Sequence, residues 1–448
     1  MKKLVLLFIL TVFACNAHAQ ITTRIVRDSL FIPWEMVYGP DNHIWFTQKN
    51  GYICRLNPDT RKIDTLYHET NTVIQSEGGM LGMALHPQFP TTPHVFVAYN
   101  YVDGSTYKER IVKYEYNGSV LNNPQTILDD IDASNIHNGC RLLTDANYLY
   151  ITTGDASATS NSQDINSING KTLRVNFDGT IPADNPIAGN PAWSWGHRNA
   201  QGMVMVNGRI FQTEHGDNVE DEVNIIEKGR NYGWPNVKGY CDQPSETTFC
   251  TDSNVKEPIK SWTPTLAVCG LDYYNHPLFP SLQNSLIMAT LKDSKLYQLQ
   301  FNNAMDTVTA ATVISAVNAG RLRDVCISPQ GRIYISTSNS NASGSSKVDK
   351  IIELYDPSSV SINNTPTNAD INIYPNPAKD ELFLHLEKES FKQNLKYQIY
   401  STTGQVVATG NIPQPLTGVR VQHIPAGLYQ LVITDGNNIL MRQRVVKE

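Results

Sequence analysis

The stretch Gly331-Arg332-Ile333-Tyr334-Ile335-Ser336 opens on a glycine turn and continues as a short run of β-branched and aromatic residues, the composition of a strand. The same unit appears at Asn42-His43-Ile44-Trp45-Phe46-Thr47, His94-Val95-Phe96-Val97-Ala98-Tyr99 and Tyr148-Leu149-Tyr150-Ile151-Thr152-Thr153. It returns at Gly208-Arg209-Ile210-Phe211-Gln212-Thr213 and Ser285-Leu286-Ile287-Met288-Ala289-Thr290. Several copies lead into a further strand, as in Tyr52-Ile53-Cys54-Arg55-Leu56, Ile111-Val112-Lys113-Tyr114-Glu115-Tyr116 and Lys295-Leu296-Tyr297-Gln298-Leu299. Six units spaced roughly 50 to 75 residues apart, with hardly any amphipathic helical period between them, predict an all-β protein built as a six-bladed β-propeller. On periodicity alone, a pair of large β-sandwiches is the alternative.

A repeat fold also accommodates the 448 residues, which exceed the usual size of one compact domain. The N-terminus reads Met1-Lys2-Lys3, then an apolar run Leu4 to Phe13, then Ala17-His18-Ala19: the basic, apolar and small-residue order of a secretory signal peptide over residues 1–19. Lipidation at Cys15 competes with that reading, but Phe13 sits where such sites want a small residue. The propeller is expected over 20–356. A polar linker follows at 357–369, containing Asn363-Asn364-Thr365-Pro366-Thr367-Asn368, and a small β-sandwich domain at 370–448.

The net charge of −6 is mild and spread along the chain; with no basic stripe, nucleic acid is not an expected partner. Six cysteines lie beyond the signal peptide, and no Cys-x-x-Cys spacing points to a metal. In an oxidising compartment an even number invites disulfides, and Cys241 with Cys250, closing a short polar loop, is the best pair.

Polar residues gather in the loops between strand units. Glu77-Gly78-Gly79-Met80-Leu81-Gly82 has glycines that let backbone approach a ligand, although a tight turn would look the same. His137, in Asn135-Ile136-His137-Asn138-Gly139-Cys140-Arg141, is a candidate general base, histidine being the residue type suited to that role near neutral pH; a lone histidine also serves as a hydrogen-bonded structural residue. Asp217, Glu220, Asp221 and Glu222 offer hard oxygen ligands for calcium without EF-hand spacing, or else form a solvated acidic loop. Arg321 and Arg323, two apart on an expected strand, would project to one face and grip one anion.

In this order the segments resemble the soluble glucose and aldose sugar dehydrogenases that use pyrroloquinoline quinone (PQQ). The likeness spans about residues 25–356. It rests on Gly79-Met80-Leu81-Gly82 with Leu85-His86-Pro87, His137 with Arg141, Gly196-His197-Arg198-Asn199 with Gln201-Gly202, Asp221-Glu222-Val223-Asn224 before Asn231-Tyr232-Gly233-Trp234-Pro235, and Arg321-Leu322-Arg323-Asp324. The tail resembles the C-terminal sorting domain of the type IX secretion system. Ile371-Asn372-Ile373-Tyr374-Pro375-Asn376-Pro377, the Tyr397–Gln405 stretch and Ala426-Gly427-Leu428-Tyr429-Gln430-Leu431-Val432-Ile433 carry that likeness; an ordinary carbohydrate-binding sandwich is the alternative.

The resemblance implies oxidation of an aldose at C1 to the lactone, with hydride passing to PQQ. It implies His137 as the general base, Arg198 beside the quinone oxygens, and Glu77, Asn199, Lys292, Arg321 and Arg323 as the cofactor-binding residues. Calcium on the quinone is implied at the main-chain carbonyls of Gly216 and Asp217, and a structural calcium pair at Asp221, Glu222 and the Tyr232 carbonyl. Glu77 stands where the glucose enzymes have glutamine, Ile136 where an aspartate precedes the base, and Asp217 where a proline is usual. The loop Trp262-Thr263-Pro264-Thr265-Leu266-Ala267-Val268-Cys269-Gly270 aligns loosely with a sugar-side loop, so a broader aldose range is expected than strict glucose. Further implied partners are an external electron acceptor and the type IX secretion machinery, which would leave the protein secreted or at the cell surface; a homodimer is left open. The alternatives are a calcium-dependent six-bladed lactonase, which has no need of Lys292, Arg321 and Arg323 converging on one anion, and a propeller that only binds glycans or a partner.

Overall fold

Each of the six recurring units forms the second strand of a four-stranded antiparallel sheet. The computed structural model describes residues 21–341, 346–356, 371–386, 395–401, 405–435 and 438–448. The expected signal peptide and linker lie outside them. In chain order the sheets comprise 33–38, 44–48, 52–56 and 63–68; 80–85, 94–103, 106–116 and 121–132; 139–144, 148–153, 171–176 and 192–195. The fourth and fifth comprise 200–206, 209–214, 221–226 and 260–262, then 268–274, 285–290, 296–301 and 308–313. The sixth takes 322–327, 333–337 and 349–355 from the end of the unit and its outer strand, 22–30, from the beginning. Thr22 pairs with Tyr355 and Ile25 with Ile352, so the ring is closed by hydrogen bonds between its two ends.

The innermost strands pack one on the next around the ring, the sixth (322–327) returning to the first (33–38), which makes a six-bladed propeller. The second strands are sandwiched between neighbouring blades. Ile44–Gln48, Tyr148–Thr153 and Ser285–Thr290 are therefore buried almost throughout, which explains their continuous apolar runs. The innermost strands face the axis and carry polar residues there. Arg141 crosses the axis, its guanidinium held by Glu35 and by Asp324 Oδ1 at 3.0 Å, with its Nε donating to the Gln201 carbonyl at 2.8 Å. Trp34 lies beneath, 4.6 Å from Arg141 and 5.5 Å from Arg323.

Of the six cysteines beyond the N-terminal segment, only Cys241 and Cys250 form a disulfide; Cys54, Cys140, Cys269 and Cys326 are buried free thiols on separate strands. An even count did not translate into full pairing, because strand positions fixed by the core hold these sulfurs apart.

The C-terminal strands form two further sheets, 371–374, 381–386 and 416–420 in one, and 406–412, 395–401, 427–435 and 438–447 in the other. Leu382, Leu384 and Val419 of the first share a buried core with Leu395, Ile399, Leu431 and Ile433 of the second, a small β-sandwich.

Candidate functional site

The loops entering the innermost strands converge at one end of the axis. His137 sits just before the strand Gly139–Thr144 and adopts φ +63°, a left-handed conformation that costs a non-glycine residue energy. The surroundings hold it there. Its N–H donates to Glu77 Oε2 at 3.0 Å from the neighbouring blade, and its carbonyl accepts from Ala156 N–H at 3.1 Å. A Cβ on Gly154 would lie 1.8 Å from that carbonyl oxygen, so only glycine fits opposite the turn.

The His137 ring is oriented by a residue absent from the sequence reading. Asp155 is fully buried, and its Oδ1 lies 2.8 Å from His137 Nδ1 while also accepting from Ser157 N–H at 2.8 Å. Trp234 Nε1 donates to Asp155 Oδ2 at 2.9 Å. A carboxylate so placed accepts the Nδ1 proton and leaves Nε2 as the basic nitrogen. The only cue to Asp155 was a Gly-Asp pair after a strand, a pattern that also marks ordinary turns.

Asn199 and Arg198 precede the next innermost strand, Ala200–Val206. Asn199 Oδ1 accepts from Gly139 N–H at 3.1 Å and its Nδ2 donates to Glu77 Oε2 at 3.4 Å, so Asn199 ties the His137 turn to Glu77. Arg198 donates its backbone N–H to Glu214 and an Nη1 hydrogen to the His215 carbonyl at 3.3 Å, and its guanidinium lies over Trp234 at 5.2 Å. Beneath it, His197 is locked between Ser194 Oγ and Glu214 Oε2, each at 2.8 Å, and stacks on Tyr232.

Arg323 is buried and donates to Gln201 Oε1 at 2.5 Å. Arg321 departs from the expectation: it is exposed and precedes the strand, which begins at Leu322. A register shift between Leu322 and Asp324 breaks the alternation that would have put both arginines on one face. Arg321 still lies near enough to act on the Arg323 charge. Lys292 is exposed at the rim, its Nζ donating to Thr265 Oγ1 at 2.9 Å.

Gly216, Asp217, Glu222 and Tyr232 line one recess together with Arg198, His215, Glu220 and Trp234. Asp221 does not line it. Its Oδ2 accepts from the amides of Leu266 at 2.7 Å and Ala267 at 2.5 Å, and its Oδ1 from Gly216 at 2.9 Å. That carboxylate therefore anchors loops, a use that the expected metal role had not anticipated. Glu222 accepts from Gly239 N–H at 3.0 Å and Asn224 Nδ2 at 2.8 Å; burial, then Glu214 and Glu220, push its carboxyl up to about 8. Among the described residues, no group of three or more His, Cys, Asp or Glu side chains is placed to hold a metal ion.

Electrostatically the head of the axis is cationic. Burial works to raise the Glu77 carboxyl, yet His215, the His137 amide, the His137 ring and Arg323 together hold it below its ordinary value. Burial, reinforced by Arg323 and Arg198, lowers His215 against the pull of Asp221 and Glu77. Arg198 Nε, Arg323 Nε and His215 Nε2 are buried without hydrogen-bond partners among the described residues.

Residues 30–348 match the model of the Glucose / Sorbosone dehydrogenase family, and residues 372–448 that of the Secretion system C-terminal sorting domain. The chain is 34% identical over 265 residues to Quinoprotein glucose dehydrogenase B of Acinetobacter calcoaceticus, covering 51% of this chain and 55% of that protein. It is 29% identical over 345 residues to Aldose sugar dehydrogenase YliI of Escherichia coli, covering 72% and 92% respectively. The solved PQQ-bound form of an aldose sugar dehydrogenase from Streptomyces coelicolor superposes with a TM-score of 0.63 at 28% identity, over 75% of this chain and 98% of that one. A propeller of this architecture, matched by the family model over most of the chain, belongs to the glucose/sorbosone dehydrogenase family and carries a secretion system C-terminal sorting domain.

Proposed function

We propose that this protein is an exported PQQ-dependent aldose dehydrogenase that oxidises the C1 hydroxyl of a sugar to the lactone. The observation that carries the reading is a set of buried, unpartnered nitrogens at the head of the axis, two of them on arginines. Arg198 Nε, Arg323 Nε and His215 Nε2 lack partners among the described residues; Arg323 and His215 act on one carboxylate, Glu77, and Arg198 acts on His215. Buried, unpaired donors are unfavourable until an anion enters, and a tricarboxylate ring system suits them.

Arg198, Asn199 and Arg323 would hold PQQ beside Glu77, with Lys292 and Arg321 at the exposed rim. The Gly216 and Asp217 carbonyls would hold calcium on the cofactor. Candidates for structural calcium are Glu222 and the Tyr232 carbonyl, in the same recess, and Asp221, whose carboxylate also accepts from three backbone amides. When bound, the quinone supplies a two-electron acceptor for hydride and calcium polarises it.

His137 Nε2, left unprotonated by the Asp155 bond on Nδ1, takes the proton of the anomeric hydroxyl as the C1 hydrogen departs with its electron pair and the C1–O bond becomes a carbonyl. The Asp155 carboxylate, accepting the Nδ1 hydrogen, stabilises the imidazolium that results. Trp234, bonded to Asp155 and lying under Arg198, fixes both groups relative to one another. Turnover then requires an external acceptor to reoxidise the cofactor.

The matched sorting domain supports delivery by type IX secretion to the surface or medium. Full-length protein loaded with PQQ and calcium should reduce an artificial dye in the presence of aldoses. If a panel of aldoses gives no reduction and the PQQ absorption does not shift on mixing, the reading fails.

A further inference from the structure

Lys49 follows the strand Ile44–Gln48 of the first blade and is only 5% exposed. Its backbone is fixed on two sides: its N–H donates to the Ile32 carbonyl at 3.2 Å, and its carbonyl accepts from Met80 N–H at 2.9 Å. The side chain runs past Gly79, where φ is +151°. A Cβ there would stand 2.6 Å from Lys49 Cγ, so glycine at this position leaves the passage open. At the end of the passage Nζ donates to the Ser76 carbonyl, one residue before Glu77. An ammonium has three donors, and this is its one hydrogen bond among the described residues.

The two charged groups that act on Lys49 are Glu77, from the second blade, and Arg323, from the sixth. Glu77 is already engaged by the His137 amide and Asn199 Nδ2. Lys49 is thus a buried amine with donors to spare, near both Arg323 and Glu77.

We propose that Lys49 is a further ligand for a cofactor carboxylate, its Nζ binding one carboxylate of PQQ together with Arg323. The inference rests on the PQQ reading above. Its electrostatics are consistent: burial, then Arg323, bring the ammonium down to about 8 while Glu77 opposes them. In the unliganded protein at that pH, Lys49 is therefore only partly protonated. A carboxylate arriving beside it restores the charge, so binding takes up protons from solvent.

The test is calorimetric titration of calcium-loaded full-length protein with PQQ at about pH 8, in two buffers of different ionisation enthalpy. Wild type should show buffer-dependent heat in the direction of proton uptake. Lys49→Met should bind about ten- to a hundredfold more weakly and lose that heat. Lys49→Arg should keep affinity within about threefold and also lose it, because a guanidinium does not titrate there.

Wild-type affinity and proton uptake in Lys49→Met would overturn the assignment while leaving the PQQ reading intact. Weaker binding with undiminished proton uptake would overturn it too, since that is the signature of a displaced Ser76–Glu77 loop. Should Lys49→Met not fold, proton uptake persisting in Lys49→Arg overturns the proposal and its loss at retained affinity supports it. Absence of any PQQ binding by wild type would instead sink the cofactor reading itself.

Discussion

His137 Nδ1 lies 2.8 Å from Asp155 Oδ1, and Asp155 is fully buried. The histidine is presented on a left-handed turn from one blade and clamped through its own N–H by Glu77 of the next. Ring tautomer and backbone conformation are thus set by two different carboxylates, one in each neighbouring loop.

If Nε2 is the base, His137→Ala should lower kcat for dye-coupled aldose oxidation by about 10²- to 10⁴-fold, with PQQ affinity little changed. Asp155→Asn should cost about tenfold or more through the wrong tautomer and should shift the pH profile of kcat/KM. Steady-state kinetics with matched cofactor loading measures both. Full activity in His137→Ala would remove the histidine from the mechanism.

Glu77 is the carboxylate among these cations. Glu77→Gln keeps an acceptor for the His137 amide but removes a charge that repels an anionic cofactor, so PQQ should bind about three- to tenfold more tightly. The His215 imidazole loses a stabilising partner and should titrate lower. Fluorescence titration with PQQ and proton NMR of the histidines report the two effects; weaker cofactor binding would show that Glu77 acts as a ligand rather than a counter-charge.

Asp221 holds the Leu266, Ala267 and Gly216 amides from a buried position. Asp221→Ala should therefore destabilise the apoprotein by about 3–5 kcal/mol in denaturant unfolding, with or without calcium. A variant as stable as wild type in chelator, yet unable to bind calcium, would assign Asp221 to the metal instead.

Glu109 is 1% exposed, and burial pushes its carboxyl up to about 8, only partly offset by Cys140 and Asn100. Its folded value lies above its unfolded one, so the folded state binds the extra proton and stability declines as pH rises from the unfolded value through the folded one. Glu109→Gln should flatten that decline, with a gain on the order of 3 kcal/mol above pH ~8 and little change near pH ~5. Thermal unfolding of the apoprotein across that window is the measurement, and parallel pH curves for variant and wild type would refute it.

The six second strands were legible because a strand buried on both faces by neighbouring blades must be apolar along its whole length. Ile44–Gln48 and Ser285–Thr290 could be found without knowing what covered them. The innermost strands mix axial polar residues with core ones and show no such run. His137, Arg198, Asn199 and Arg323 were found by resemblance, and the structure brings them to one end of the axis. The disulfide between Cys241 and Cys250 was readable from its short loop, whereas the buried solitude of the other four thiols depends on blade positions.

Residue order by itself determined the all-β class, the number of blades and the loops that carry the site, since these follow from local composition and its period. Only the tertiary structure decided that Thr22–Leu30 completes the sixth blade, that a bulge separates Arg321 from Arg323, that Asp221 serves backbone amides, that Asp155 bonds His137, and that Lys49 reaches the Ser76 carbonyl. Each of these depends on contacts between residues far apart in the chain, and no local pattern encodes the burial that makes a turn aspartate or a strand-end lysine chemically significant.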